Sequence, residues 1–182
     1  VKQSSYPCIE SGGIVWTYMG PPEHKPTFPH YSFMDLPADH MYVTKAVLEC
    51  NYLQGLEGEC DSSHLNYLHR DFGRQGRDLS AAENTPSYDI EDTDFGLRMV
   101  AIRKIPDDMA YVRVSSFVLP ITCFIHAITK EMHIYVPIDD YHAWRYDFGF
   151  YPDRAIRPGD SHRVSEIGPD YHRIRTQANH YK

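Results

Sequence analysis

The sequence predicts an α+β domain in which one antiparallel sheet packs against a single long helix. Much of the second half of the chain consists of short segments rich in β-branched and aromatic residues, separated by turn residues. Residues 51–69 instead carry apolar side chains at helical spacing. Fourteen tyrosines and thirteen prolines suit a β-rich fold with many turns. At 182 residues, the chain is long enough for one domain with a sizeable core.

The first elements lie before the helix. A strand is predicted at residues 14–19, where β-branched and aromatic residues run up to Gly20. Residues 20–40 are proline-rich and lack apolar periodicity, so they are predicted to be an extended linker. Residues 41–50 alternate well enough to form a strand that leads directly into the helix.

Five further strands are predicted in succession, after a long polar loop at residues 70–94. Turn-like separators such as Pro106-Asp107-Asp108 keep the connections short, and neighbouring strands at this spacing favour an antiparallel meander. The predicted strands are 96–104, 110–119, 121–128, 132–138 and 142–151.

Composition excludes several classes of function. The formal net charge of -7 gives no electrostatic support to nucleic-acid binding. No run of 18 apolar residues is present, so no membrane span is expected. The four cysteines are far apart and contain no Cys-x-x-Cys pair, which argues against a disulfide framework or a structural zinc site. A cytoplasmic protein is therefore expected.

The predicted helix carries ionisable side chains where a plain core helix would have leucine or alanine. Glu57, Asp61 and His64 fall on its apolar face when residues are placed at intervals of about 100°. Burying each charged group costs several kcal/mol unless a partner charge or a metal ion compensates. Gly55 and Gly58 lie elsewhere on the helix and each costs about 1 kcal/mol relative to alanine, so stability alone does not explain this sequence.

A second histidine, His69, follows His64 by five positions, about 140° further round an ideal helix. The two imidazoles converge on one ion only if the helix loosens or ends near Leu68. Asp61 precedes His64 by one turn and is close enough to accept a hydrogen bond from its ring N–H, as carboxylates beside metal-bound histidines do. This arrangement predicts a site for a divalent transition metal. Iron is favoured, and zinc stays open because imidazole suits both metals.

The same stretch resembles the iron-binding motif of the Rieske non-haem iron oxygenases, in their large (α) subunits. The family pattern is Asn-[Trp/Tyr]-x-Gln-x3-Glu-x3-Asp-x-x-His-x4-His, and every spacing is kept here. The matching residues are Asn51, Tyr52, Gln54, Glu57, Asp61, His64 and His69. Residues 9–21 are similar to the exit strand of the Rieske domain in the phthalate dioxygenase branch, and residues 136–144 to the catalytic-domain sheet of that branch.

This resemblance implies a helix-grip (START/Bet v 1-like) fold, which is an α+β arrangement of an antiparallel sheet around helices, here incomplete at both ends. Residues 1–20 would be the exit strand of a preceding Rieske domain that is itself absent. Residues 21–182 would be a partial iron-binding catalytic domain.

The resemblance also implies roles for individual residues. His64 and His69 would ligate a mononuclear Fe(II), and the third ligand, an aspartate, would lie beyond Lys182. Asp61 would bridge His64 to a cluster-ligating histidine of the neighbouring subunit and so give electrons a short hydrogen-bonded route. Asn51 would line the iron pocket.

The implied activity is that of a ring-hydroxylating mono- or dioxygenase. O₂ would be activated at iron, and one or both oxygen atoms would enter an aromatic compound, expected to be an aromatic carboxylate. Electrons would come from NAD(P)H through a reductase and then a Rieske [2Fe-2S] cluster. Because that cluster needs a Cys-x-His motif, which this chain lacks, it is expected in the missing N-terminal domain. A bridge between subunits implies a ring-shaped oligomer, most simply a homotrimer.

Two alternatives stay open. A non-catalytic helix-grip module would bind an apolar ligand and hold no iron. A zinc-dependent hydrolase would use His64, His69 and Glu57, and would act without O₂ or reductant. Metal analysis separates the three hypotheses.

The remaining histidines and aspartates are expected to have ordinary structural roles. His126, His133 and His142 are predicted to pack within the sheet or the pocket wall rather than to bind metal. Turn or strand charges at the surface are predicted for Asp139, Asp140, Asp147 and Asp153.

Overall fold

The computed structural model describes residues 3–68, 84–126, 130–160 and 166–176. The strands are β1 (Cys8–Ser11), β2 (Ile14–Thr17), β3 (Met41–Leu48), β4 (Ser87–Thr93), β5 (Gly96–Ile105), β6 (Met109–Val118), β7 (Thr122–His126), β8 (Lys130–Pro137) and β9 (Ala143–Phe150). The α-helices are α1 (Tyr52–Cys60) and α2 (Leu65–Leu68). Three 3-10 helices lie at Pro22–His24, Ser32–Asp35 and Ala38–His40.

Seven strands form one antiparallel sheet in the order β3-β9-β8-β7-β6-β5-β4. Strands β4 to β9 are a meander in which each pairs with the next along the chain, and β3 closes the order by pairing with β9. The two α-helices connect β3 to β4, and α1 packs against β6, β7 and β8. The predicted α+β class and antiparallel meander are confirmed. The six strands predicted at 41–50 and from 96 onward agree with the observed bounds to within two residues at each end.

Each face of the sheet carries an apolar cluster. The cluster under α1 consists of Leu56, Cys123, Ile125 and Tyr135. The cluster on the opposite face consists of Phe33, Met132, Ile134 and Phe148. Burying both faces explains why the central strands are apolar at successive positions rather than strictly alternating.

The prediction that residues 20–40 are an extended linker is wrong. Three 3-10 helices punctuate this segment, and Phe33 is only 2% exposed because its ring packs on the sheet beside Phe148 and Phe150. The prolines stop the chain from forming a longer helix, but they leave its aromatic side chains free to anchor it. The N-terminal hairpin of β1 and β2 is a separate sheet, and Trp16 on β2 packs against the same cluster.

The long polar loop predicted at residues 70–94 contains a strand that sequence reasoning missed. Strand β4 pairs with β5 at the edge of the sheet, and its residues are almost all exposed. Edge strands of this kind carry charged side chains and lack an apolar face, so alternation does not reveal them. Residues 70–83 lie outside the described residues.

Beyond β9, Ile167 and Arg173 form an isolated antiparallel bridge, and the carbonyl of Tyr171 accepts a hydrogen bond from the N–H of Val47 at 2.9 Å. This segment therefore covers part of the outer edge of β3. Across the described part of the chain, no helix is long and apolar enough to cross a membrane.

Candidate functional site

The single helix predicted over residues 51–69 is in fact interrupted. Helix α1 ends at Cys60, and Asp61 adopts an extended conformation (φ -71°, ψ 109°) before α2 begins at Leu65. Asp61 causes part of the break, because its carboxylate accepts hydrogen bonds from the N–H groups of Ser63 at 2.7 Å and His64 at 3.3 Å. Such local side-chain bonds offer the backbone an alternative to the helix ladder. We call residues 61–66 the 61–66 loop.

Asp61 and His64 face each other within this loop. Oδ2 of Asp61 lies 3.3 Å from Nδ1 of His64. With Nδ1 donating to the carboxylate, the lone pair of a neutral imidazole is on Nε2, as in histidines that bind metal through that atom. The predicted contact between Asp61 and His64 is therefore present. The Asp61 side chain is 45% exposed and that of His64 is 24% exposed, so the pair is accessible from outside the molecule.

The carboxylate of Asp61 is held in its charged form. Its partial burial raises the pKa, but the hydrogen bond from Ser63 N–H and the charge of His64 outweigh that effect and leave the pKa below its ordinary value. Asp61 is thus an acceptor at neutral pH, suited to orient an imidazole that carries a proton on Nδ1.

The 61–66 loop is tied to the sheet by side chains that the sequence did not single out. Arg103 on β5 is fully buried, and its guanidinium donates to Ser62 and to Asn66. Tyr88 on β4 accepts a hydrogen bond from the N–H of Ser62 at 3.0 Å. The sequence gives no signal of this role, because β5 also carries Arg98 and Lys104 and nothing in its pattern marks Arg103 as the buried one.

The other two predicted site residues are less well defined. His69 lies outside the described residues, so its pairing with His64 stays a prediction. Asn51 caps the N-terminus of α1, where its Oδ1 accepts a hydrogen bond from Leu53 N–H at 3.0 Å. Its amide nitrogen donates to the carbonyl of Asp140 at 3.2 Å, which ties the start of the helix to the turn before β9.

The prediction that Glu57 lies on the buried face of the helix is wrong. Glu57 is exposed and accepts a hydrogen bond from Gln54 at 3.0 Å, whereas Glu59 points toward the sheet. The buried face is rotated because Gly55 belongs to it: a Cβ at that position would collide with the ring of Tyr135. From the sequence, Gly55 was considered only for its low helix propensity, and the close approach of the Tyr135 ring was not foreseen.

Glu59 is the centre of a set of polar side chains beneath α1. Its Oε1 lies 2.8 Å from His133 Nδ1, 2.5 Å from the Tyr135 hydroxyl and 3.3 Å from the Arg145 guanidinium. Asp147 completes the set, with Oδ1 2.6 Å from Arg145 Nε and 3.3 Å from His133 Nε2. We call these five residues, Glu59, His133, Tyr135, Arg145 and Asp147, the buried network.

Electrostatics in the buried network favour the ionised carboxylate. Burial raises the pKa of Glu59, but the hydrogen bond and charge of His133 and the charge of Arg145 together hold it well below its ordinary value. Burial and the neighbouring Glu59 carboxylate raise the pKa of Tyr135 above its ordinary value, so it stays a donor. His133 is a core histidine, as predicted. Its Nδ1 contacts Glu59, whereas its buried Nε2, 3.3 Å from Asp147, makes no hydrogen bond to a described residue. Asp147, predicted to be a surface charge, is instead a buried partner of Arg145.

Further donor sets do not form a second site. Cys123 and His126 have a Cys-x-x-His spacing, but the sequence has no Cys-x-His motif to accompany it. His142, predicted to pack, is exposed and pairs with Asp139 at 2.9 Å. Among the residues that the structure describes, no group of three or more His, Cys, Asp and Glu side chains could hold a metal ion.

Known proteins resemble this chain in sequence and in fold. The phthalate 4,5-dioxygenase oxygenase subunit of Pseudomonas putida is 36% identical over 161 residues, which cover 79% of this chain and 36% of that protein. The 3-chlorobenzoate-3,4-dioxygenase oxygenase subunit of Comamonas testosteroni is 30% identical over 167 residues, covering 86% and 39%. This chain therefore spans less than half the length of these curated relatives.

Solved structures support the fold. A crystal structure of dicamba monooxygenase bound to 3,6-dichlorosalicylic acid aligns with a TM-score of 0.56 at 16% identity, covering 87% of this chain and 58% of that one. The terminal oxygenase of carbazole 1,9a-dioxygenase from Nocardioides aromaticivorans aligns with a TM-score of 0.52 at 16% identity, covering 88% and 52%. The expected α+β helix-grip architecture is thereby confirmed at the level of the fold.

A family model agrees with both comparisons. It is described as LigXa C-terminal domain like, and it matches residues 17–182, which is nearly the whole chain and includes both helices and all seven strands of the main sheet. The chain therefore belongs to the LigXa C-terminal domain-like family.

Proposed function

We propose that this chain is the iron-binding part of an oxygenase component that hydroxylates an aromatic compound. The observation that carries the proposal is the contact between Asp61 and Nδ1 of His64, in a loop that matches the motif Asp-x-x-His-x4-His. A carboxylate on the far ring nitrogen is the usual partner of a metal-bound histidine, because it fixes the tautomer and makes the imidazole a better ligand.

The donor set fits ferrous iron. His64 would bind through Nε2, and His69 would be the second ligand. When bound in a two-histidine, one-carboxylate set, Fe(II) supplies O₂ activation at its open coordination positions. The identity of the third ligand is not assigned to any described residue. Asp61 holds the His64 ring in place by accepting a hydrogen bond from its Nδ1–H.

Asp61 has a second proposed role, as a bridge between subunits. Its side chain is 45% exposed even though it contacts His64, so another molecule can reach the carboxylate. A histidine that ligates a Rieske [2Fe-2S] cluster in a neighbouring subunit would donate to it, and electrons would arrive from NAD(P)H through a reductase. This role requires a homo-oligomer, and a homotrimer is the simplest one.

The substrate class is proposed from the relatives alone. The two curated relatives above are named for phthalate and 3-chlorobenzoate, and both of those substrates are aromatic carboxylates. We therefore propose an aromatic carboxylate as substrate.

Exposure of Glu57, which pairs with Gln54 on the outside of α1, argues against a hydrolase that uses this residue together with the two histidines.

Replacing Asp61 by Asn tests the proposed function. In the intact protein, Asp61→Asn should retain iron because the amide oxygen still accepts from His64, whereas turnover with reductant should fall at least about 100-fold, because a neutral amide no longer bridges two protonated imidazole nitrogens. Iron content and substrate-dependent O₂ uptake are the measurements.

Asp139→Asn is the matched control, since Asp139 also precedes a histidine by three positions and contacts its Nδ1 at 2.9 Å. This control should leave iron content and turnover unchanged. Normal turnover by Asp61→Asn would refute the bridging role. A wild-type protein without bound iron would favour the non-catalytic module, and zinc with O₂-independent activity would favour the hydrolase.

A further inference from the structure

Arg103 is the most deeply buried charged side chain outside the buried network. It lies on β5 and has no exposed surface. Its Nε donates to Oδ1 of Asn66 at 3.0 Å, one terminal nitrogen donates to the Ser62 hydroxyl at 3.0 Å, and the other donates to the Ser62 carbonyl. All three guanidinium nitrogens are thus used on two residues of the 61–66 loop.

These acceptors are all neutral, and that is costly. Among the described residues, no carboxylate pairs with this guanidinium. A buried guanidinium in that position gives up hydration worth several kcal/mol, and hydrogen bonds to neutral oxygens recover only part of it. Replacing buried ionic groups by well-packed apolar side chains of similar volume is often neutral or stabilising in proteins. A stability argument therefore does not account for an arginine at this position.

The hydrogen bonds of Arg103 act on the backbone that carries Asp61 and His64. Ser62 lies directly after Asp61, and Asn66 lies two residues after His64. In a continuous helix the carbonyl of Ser62 would accept from the N–H of Asn66. Here Arg103 takes that carbonyl, while Tyr88 accepts from the N–H of Ser62. Ser62, at the start of the loop before α2, is therefore held out of the helical conformation on both its N–H and its carbonyl side.

The non-helical conformation is what lets Asp61 serve His64. In this conformation one carboxylate accepts from the N–H of Ser63, the N–H of His64 and Nδ1 of His64. A helix running through residue 61 would use those two N–H groups in its own ladder and leave the carboxylate without them. The orientation of the imidazole therefore depends on the position of Ser62.

We propose that Arg103 is a positioning residue for the metal centre: it fixes Ser62 and Asn66 so that the Asp61 carboxylate stays on Nδ1 of His64. The inference rests on the proposed function, because it concerns the geometry of that same centre. Arg103 touches neither His64 nor the metal, and acts only through the loop.

The test compares Arg103→Met and Arg103→Lys with Arg98→Met in the intact protein. Arg98 is on the same strand, but its side chain is 41% exposed. It pairs with Glu91 at 2.6 Å rather than with a residue of the loop. Two readouts are measured on folded protein: hydrogen exchange of the amides of residues 62–66 without metal, and the dissociation constant for Fe(II) under anaerobic conditions.

Arg103→Met should accelerate exchange in the loop and weaken Fe(II) binding about 10- to 100-fold, which is the range for losing an orienting partner of a metal ligand. Arg103→Lys should restore part of both, since an ammonium can still reach one acceptor. Arg98→Met should change neither. A merely structural role would lower the melting temperature but leave the affinity of the folded fraction unchanged.

Ser62→Ala covers the case in which Arg103→Met does not fold. It removes one acceptor and leaves the buried charge in place, so both readouts should move in the same direction by a smaller factor. Wild-type exchange and affinity in a folded Arg103→Met, or in Ser62→Ala if the former is unfolded, would overturn the inference. A wild-type protein that fails to bind Fe(II) would instead overturn the proposed function.

Discussion

The buried network and the 61–66 loop are two polar regions that are close in sequence, since Glu59 and Asp61 are two positions apart. They differ in exposure: the network is enclosed by the protein, whereas the loop is open to solvent. In the network, His133 is 2% exposed and Glu59 is 13% exposed, and each acid lies within ion-pair distance of His133 and Arg145. In the loop, Asp61 remains 45% exposed while holding His64. Burial of charge therefore does not distinguish the proposed metal site, where the Asp61–His64 pair is held in place and still accessible.

If this distinction is right, substitutions in the network should cost stability, and substitutions in the loop should cost metal binding or turnover. The predictions below run from the largest expected change in the free energy of unfolding to the smallest.

Glu59→Gln should be the most destabilising change. A neutral amide leaves Arg145 and His133 without their shared carboxylate, and breaking a buried ion pair from one side costs about 3 kcal/mol or more. Urea unfolding at neutral pH measures the loss. Glu57→Gln, two positions earlier on the exposed face of the same helix, should stay within about 0.5 kcal/mol of wild type. Equal losses of stability in Glu59→Gln and Glu57→Gln would contradict the assignment of Glu59 as the buried acid of the network.

The Glu59 effect should also depend on pH. Because the folded-state pKa of Glu59 lies below its ordinary value, its carboxylate stabilises the fold above the unfolded pKa of about 4.3, and the stabilisation is lost as pH falls toward the folded pKa. The difference in unfolding free energy between wild type and Glu59→Gln should therefore shrink below about pH 4. A difference that widened in acid would contradict the assigned direction.

Gly55→Ala should come next. Its new Cβ would collide with the ring of Tyr135, which is 1% exposed and held by its hydroxyl at Glu59, so the ring cannot move aside. Overpacking of this kind costs about 1–3 kcal/mol. Gly58→Ala is the matched control on the same helix, where nothing lies within 4 Å of the added Cβ. It should stabilise the protein by about 0.5–1 kcal/mol through helix propensity. Thermal unfolding of both variants checks the opposite signs.

Asp61→Asn should have the smallest effect on stability. The single amide oxygen of asparagine can keep the contacts with His64 but not the separate Oδ1 contact with Ser63, and the loss of one hydrogen bond should cost about 1 kcal/mol at most. The same chemical denaturation experiment measures it. A decrease in the free energy of unfolding above about 2 kcal/mol would mean that the loop, like the buried network, is mainly a structural element.

The sequence predicts the sheet well because its strands are local patterns. Residues that alternate or run apolar between turn residues became β3 and β5 to β9 almost as expected. The polar edge strand β4 and the anchored segment around Phe33 were missed, since neither has an apolar period of its own. Phe33 is buried by packing against strands more than 100 residues later in the chain.

The candidate site was only partly predictable for a related reason. The Asp61–His64 contact depends on two residues three apart, so their spacing was enough to predict it. The hydrogen bonds between the sheet and Ser62 come from Arg103, which is 41 residues further along the chain and cannot be paired with Ser62 from sequence alone. The choice of Glu59 over Glu57 as the buried acid depends on Tyr135, 76 residues from Glu59.

Fe(II) titration of the intact wild-type protein, His64→Ala and His142→Ala under anaerobic conditions tests most directly the claim that the 61–66 loop is a metal-binding element. His142 is the internal control, because its Nδ1 also contacts an aspartate three positions earlier. We expect His64→Ala to bind Fe(II) at least about 100-fold more weakly than wild type, and His142→Ala to bind it equally well. Unchanged affinity in His64→Ala, or equal losses in both variants, would contradict the account.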